Sequence, residues 1–201
     1  MFHDDWNKNL EKIRHLNAIV FAGGKKHAEY INFTHGIYNY VKELNDEGEY
    51  YPLWGTCLGF ESLIYFELSW DSKFMSDRSA NHTNLAIEFL VPTEETRMWS
   101  GLGADAYKFA EQNLTFHGHL FGLDPQMFLH DENVKNLYTP TTLGYDKYGE
   151  PFVNTYESKR YPFYGSQFHP EKAAYVFSPG FNLDHHDDYI NLNRHFAEFF
   201  V

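Results

Sequence analysis

One cysteine in 201 residues leaves no partner for an internal disulfide and too few thiolates for a cysteine-based zinc site. Basic residues are scarce as well. Sixteen Lys and Arg face 28 Asp and Glu, and the formal charge of −12 argues against nucleic acid or an anionic membrane surface as a partner. No apolar run approaches the ~20 residues of a membrane-spanning helix. The opening Met1-Phe2-His3-Asp4-Asp5 is polar and acidic, unlike the basic-then-apolar start of a secretory leader. No internal repeat, low-complexity tract or linker divides the chain, so residues 1–201 are expected to form a single domain. A content of 43% hydrophobic and 19% aromatic residues is ample for its core.

Histidine is plentiful. Protonating all 12 would bring the formal charge from −12 to zero, so an anionic ligand meets less repulsion in mild acid than at neutrality. Three N-x-[ST] sequons, at Asn32, Asn81 and Asn113, are candidate glycosylation sites and favour a secretory history, in tension with the missing leader.

The apolar pattern predicts helices over Asp5 to Leu16, His27 to Asn45, Leu58 to Trp70, Asp124 to Asn136 and Tyr189 to Val201. Strands are expected at Ala18 to Phe21, Tyr50 to Trp54, Leu85 to Val91, Pro151 to Tyr156 and Phe163 to Phe168. A short strand or loop is expected at His117 to Gly122, and a strand with a turn within Lys135 to Tyr145. Strand–helix–strand–helix alternation predicts a parallel α/β sheet covered by helices, with a ligand site beyond the carboxyl ends of its strands.

Two segments carry the chemistry. In Trp54-Gly55-Thr56-Cys57-Leu58-Gly59-Phe60-Glu61 the lone cysteine stands between glycines where a strand meets a helix, the pattern of a nucleophile elbow. The helix dipole at that point is expected to favour the thiolate. A buried structural cysteine is the plainer alternative. The base must come from a neighbouring strand, and Gln167-Phe168-His169-Pro170-Glu171-Lys172 supplies a histidine with a carboxylate two residues on. In extended backbone those two side chains project to one side, so Glu171 can orient the His169 ring. Read alone, His-Pro-Glu is also an ordinary surface turn.

Together, W-G-T-C-L-G-F-E and Q-F-H-P-E-K resemble the class I glutamine amidotransferase-like superfamily and, within it, the γ-glutamyl hydrolases of peptidase family C26. Glu171-Lys172-Ala173 and Ala197-Glu198-Phe199-Phe200 extend the likeness, which thins between about Trp70 and Pro162. The resemblance implies a flavodoxin-like three-layer sandwich with a mostly parallel central sheet. It also implies a triad of Cys57, His169 and Glu171, and an oxyanion hole from the backbone N–H groups of Leu58 and of Gly23 or Gly24. Glu61 and His117 match positions that line the substrate site. The implied substrate is a folylpoly-γ-glutamate or other γ-glutamyl peptide, cleaved through a thioester without metal or cofactor. Lysosome, vacuole or secretion would be the destination, and a homodimer is compatible with the family.

Several departures are visible. Ala22 stands where family members carry proline before the glycine pair. Lys25-Lys26-His27 after it could meet substrate carboxylates, although a solvated helix start is the plainer reading. The strand, helix and second strand that open the family's domain have no counterpart, so the chain is expected to be N-terminally truncated, with an exposed apolar sheet edge that needs further sequence or a partner. The rival readings are a non-catalytic paralogue or binding module, and a glutaminase-type amidotransferase, against which Glu61 in place of glutamine counts. His117-Gly118-His119 and His185-His186-Asp187-Asp188 lack the convergent third group of a metal site.

Overall fold

Leu53 and Phe163 bury in one apolar cluster while their chain neighbours Trp54 and Tyr164 bury in another. Alternate residues of a strand face opposite sides, so these pairs mark a sheet covered on both faces. The computed structural model describes residues 6–68, 72–181 and 183–201. Within them run, in order, α1 (Trp6–Ile13), β1 (Ile19–Phe21), α2 (Ala28–Asp46), β2 (Leu53–Thr56), α3 (Leu58–Glu67), β3 (Met75–Leu85) and β4 (Glu88–Phe89). Then come α4 (Arg97–Ser100), α5 (Lys108–Glu111), β5 (Thr115–Leu123), α6 (Pro125–His130), α7 (Glu132–Leu137), β6 (Tyr138–Tyr145), β7 (Pro151–Ser158), β8 (Phe163–Ser166), α8 (Lys172–Tyr175) and α9 (Asp187–Phe200). Asp5 and Trp70, expected as helix ends, lie outside the described residues.

The six-stranded sheet has the order β1-β2-β8-β7-β6-β4, and β3 pairs with β5 in a separate ribbon. One face is covered by α2 and α3, with Ile31, Ile37, Val41, Leu63 and Ile64 in the core, and the other by α4, α5 and α9, with Trp99, Phe109 and Phe196. Such side chains contribute roughly 1.5–3 kcal/mol each on burial. This is the expected α/β sandwich, but the sheet is mixed rather than mostly parallel. Among the described residues only β1–β2 and β2–β8 pair in parallel, while β8–β7, β7–β6 and β6–β4 are antiparallel. The cause is connection length. The few residues between β6 and β7, and between β7 and β8, are too short for a parallel crossover, which takes a dozen or more. Asp146 shapes the first link by accepting from Tyr148 and Glu150 N–H at 2.8 and 3.0 Å.

Two further differences have local causes. The expected helix over Asp124 to Asn136 is split, because the Asp131 side chain accepts from Val134 N–H at 2.9 Å and starts α7 afresh. The polar stretch 75–84, given no element from sequence, forms with Leu85 a strand of the β3–β5 ribbon, the strand expected over Leu85 to Val91 is reduced to Glu88–Phe89, and the short element expected at His117 extends over Thr115–Leu123.

At the sheet's edge, Ile19 N–H donates to Pro52 and the β1–β2 register places Ile19 and Phe21 in the ladder. Val20 N–H and C=O therefore face outward. Among the described residues β1 pairs on one side only, and the Val20 side chain is 56% exposed.

Candidate active site

The parallel strands β1, β2 and β8 end together, and the residues that follow each of them meet. After β2, Cys57 has a φ of 51°, where L-residues are rare and which costs about 1–3 kcal/mol. Its N–H is held by the Ser166 carbonyl at 2.8 Å, and its own carbonyl accepts from Glu61 N–H at 3.0 Å as α3 begins. The flanking glycines are required by close approach. A Cβ on Gly55 would lie 2.6 Å from the Gly59 carbonyl carbon, and one on Gly59 would lie 2.0 Å from the Phe21 carbonyl oxygen. Trp54 and Thr56 are linked as well, the indole N–H donating to the Thr56 hydroxyl at 2.9 Å.

After β1, Gly23 fills the gap between nucleophile and base. A Cβ there would stand 2.7 Å from His169 Cε1 and 3.1 Å from Cys57 Cβ. The Tyr30 hydroxyl donates to the Ala22 carbonyl at 2.9 Å, pinning the turn that leads into the glycines. A cavity of about 210 Å³ opens where Gly23, Gly24 and Leu58 meet, with Lys25, His27 and Tyr30 on its wall.

After β8, the strand ends at Ser166 and the chain turns. His169 N–H donates to the Phe116 carbonyl at 2.9 Å, and His169 Nδ1 lies 2.7 Å from Glu171 Oε1. The contact expected between these residues is present, but extended backbone is not its cause, since Glu171 is helical (φ −66°, ψ −21°) and caps α8. With Nδ1–H donated to Glu171, Nε2 is the free lone pair.

Burial pushes the Cys57 thiol up to about 12, with Glu61 and Glu171 adding to the rise and the Leu58 N–H and Lys172 opposing it. Burial thus outweighs the Leu58 N–H at the start of α3 and favours the neutral thiol. Glu61 is one helical turn beyond Cys57. Burial raises its carboxyl to about 7 against the Gln167 amide, which donates to it at 3.0 Å, and the charge of Lys26. His117 is fully buried. Its ring bonds Thr115 Oγ1 and His119 Nε2 at 3.0 Å each and packs on Phe152 and Phe168. Burial and the neighbouring His119 hold it well below the usual histidine range. Asn32, Asn81 and Asn113 are exposed. Among the described residues no group of three or more His, Cys, Asp or Glu side chains could hold a metal, and no helix is long and apolar enough to cross a membrane.

Sequence reasoning gave no role to Tyr30, Gln167 or Lys172. Gln167 and Lys172 lie inside the His-Pro-Glu segment, so their placement could have been asked of the sequence. Nothing in the helical pattern around Tyr30 signals its bond to Ala22.

A cysteine elbow facing a His–Glu pair beyond parallel strands, on a three-layer sandwich with a mixed sheet, is the class I glutamine amidotransferase-like fold. A solved structure of a candidate GMP synthase protein from Thermoplasma acidophilum has that fold, with a TM-score of 0.52 and 15% identity over 94% of this chain and 75% of its own. No family model matches the chain. Within the class, the chain is a relative of the γ-glutamyl hydrolases. It is 32% identical to the γ-glutamyl hydrolase of Bos taurus over 200 residues, which are 97% of this chain and 62% of the bovine one. It is 28% identical to γ-glutamyl hydrolase B of Dictyostelium discoideum over 208 residues, which are 100% of this chain and 59% of that one. The chain thus spans about three-fifths of the length of these relatives.

Proposed function

We propose that this chain carries the catalytic centre of a γ-glutamyl hydrolase, with Cys57 as nucleophile, His169 as base and then acid, and Glu171 as the group that orients His169. The observation that carries the reading is Gly23, whose position between Cys57 Cβ and the His169 ring brings nucleophile, base and glycine turn to one point. In the reaction, Cys57 gives its proton to His169 Nε2 and the sulfur attacks the γ-carbonyl carbon. Because the resting thiol is neutral, attack and proton transfer are coupled. The negative oxygen is received by the N–H of Leu58 and of Gly23 or Gly24, a donor of this kind being worth about 3–4 kcal/mol of barrier. His169 then passes its proton to the departing amine nitrogen, the C–N bond breaks, and a thioester remains. Water, deprotonated by the same imidazole, hydrolyses the thioester and restores the thiol. The kinship with γ-glutamyl hydrolases favours folylpoly-γ-glutamates or other γ-glutamyl peptides as substrates.

Residues 1–201 are taken as one catalytic domain, with a lysosomal, vacuolar or secreted location and exposed Asn32, Asn81 and Asn113 as glycan acceptors. The test is glutamate release from pteroyl-poly-γ-glutamate by the wild-type chain and by Cys57→Ala. Turnover in the wild type and none in the variant is expected. Equal turnover in the two would sink the mechanism.

A further inference from the structure

Although this chain has 28 acidic side chains against 16 basic ones, some of its ammonium groups form no ion pair among the described residues. Lys172 is such a group. Its side chain is half-buried, and its Nζ lies over the ring of Phe181, 5.3 Å from the centroid. Among the described residues no carboxylate comes within salt-bridge distance of it. The adjacent Glu171 is turned to His169 instead. The Phe181 ring is itself packed on Phe116, whose carbonyl accepts the His169 N–H. An aromatic face holds a cation in place without neutralising it, so the charge stays available to an incoming anion.

Its position on the chain fixes which anion. Lys172 N–H donates to the His169 carbonyl at 3.2 Å, so the lysine leaves the same turn as the general acid. In cleavage of a γ-glutamyl bond to a second glutamate, the nitrogen that receives the His169 proton is bonded to the α-carbon of the departing residue. That α-carbon carries a carboxylate. The carboxylate carbon lies two bonds beyond the nitrogen, and a cation on the turn of His169 is on that leaving-group side of the scissile bond. The charge of Lys172 is also felt at the Cys57 thiol, which places it within electrostatic reach of the reacting atoms.

We propose that Lys172 is a specificity-determining residue whose ammonium receives the α-carboxylate of the departing glutamate, so that the site selects γ-glutamyl bonds to an α-amino acid over those to neutral amines. This rests on the γ-glutamyl hydrolase reading of the same site. It gives the Lys172–Phe181 pair a function in placing the scissile nitrogen against His169, as a fixed charge-assisted contact does.

The test compares γ-glutamylglutamate with the same peptide amidated at the α-carboxyl of its second residue. Both are measured on the 201-residue chain and on Lys172→Gln and Lys172→Arg. The wild type is expected to prefer the carboxylate by about ten- to a hundredfold in kcat/KM, chiefly through KM. Lys172→Gln should bring that ratio close to one, and Lys172→Arg should keep most of it. A ratio unchanged in Lys172→Gln overturns the proposal. A loss in Lys172→Gln that is equal on both peptides overturns it too, because an effect through the thiol or through Phe181 would be blind to the amide. Calorimetric titration of both peptides into Cys57→Ala, with and without Lys172→Gln, separates recognition from chemistry. A Lys172-dependent preference in Kd with no turnover by the wild type would sink the hydrolase and leave recognition standing. Turnover with a preference indifferent to Lys172 would do the reverse. Neither binding nor turnover of either peptide would overturn both.

Discussion

Gly59 and the carbonyl of Phe21 touch so closely that a Cβ on the glycine would sit 2.0 Å from the oxygen. This contact joins the start of α3, which holds Cys57 and Leu58, to the end of β1, which leads into Gly23. Replacing the glycine has no cheap solution, since the obstructing atom is backbone. Gly59→Ala is expected to cost about 1–3 kcal/mol of stability, read as a lower urea midpoint. Glutamate release should fall further than the lost folded fraction explains, because Leu58 and Gly23, the proposed oxyanion donors, are pushed apart.

The 2.7 Å contact of Glu171 with His169 Nδ1 gives a second expectation. Glu171→Gln keeps the shape but can leave the imidazole in the wrong tautomer, with its proton on Nε2 facing the thiol. A fall in kcat of about 10²–10⁴-fold is expected, with a small change in KM. An unchanged kcat would remove Glu171 from the mechanism.

Glu61 links the site to stability. Its carboxyl is raised by burial from 4.5 to about 7, so the native state holds the proton more tightly than the unfolded chain. The stabilisation is complete below about pH 4.5 and is lost as the pH rises through about 7. Relative to Glu61→Gln, the wild type should lose on the order of 3 kcal/mol between pH 5 and pH 8. Urea unfolding of both proteins at several pH values measures this. Curves that run parallel would contradict it.

Ala22 stands before the glycine pair where a more rigid residue would hold the turn, and the Tyr30 hydroxyl supplies a hold from outside. Tyr30→Phe should cost about 1 kcal/mol of stability. If the turn is loosened, kcat falls while KM stays. A loss of stability with kcat intact would make the bond structural only.

What the sequence made legible follows where chemistry dictates residue type. Cys57 between Gly55 and Gly59 could be read because backbone crowding leaves glycine alone at both flanks. His169 and Glu171 could be read because their spacing survives a change from strand to turn, though extended backbone is not what joins them. The ribbon strand Met75–Leu85 could not be read. Ala80 is its one fully buried residue, and the others are half-buried or exposed, so no face imposes an apolar period. The antiparallel half of the sheet escaped notice because it is set by the lengths of two links.

The open edge of β1 bears finally on colloidal behaviour. Among the described residues the Val20 backbone N–H and C=O have no sheet partner and lie beside an exposed aliphatic side chain, a template on which another strand can pair. At neutral pH a charge of −12 holds copies apart. Protonating histidines in acid lessens that repulsion, buried His117 and His119 excepted, while leaving the edge as it was. The solution that eases an anionic ligand's approach to the cleft is thus the one in which the protein is least protected from itself.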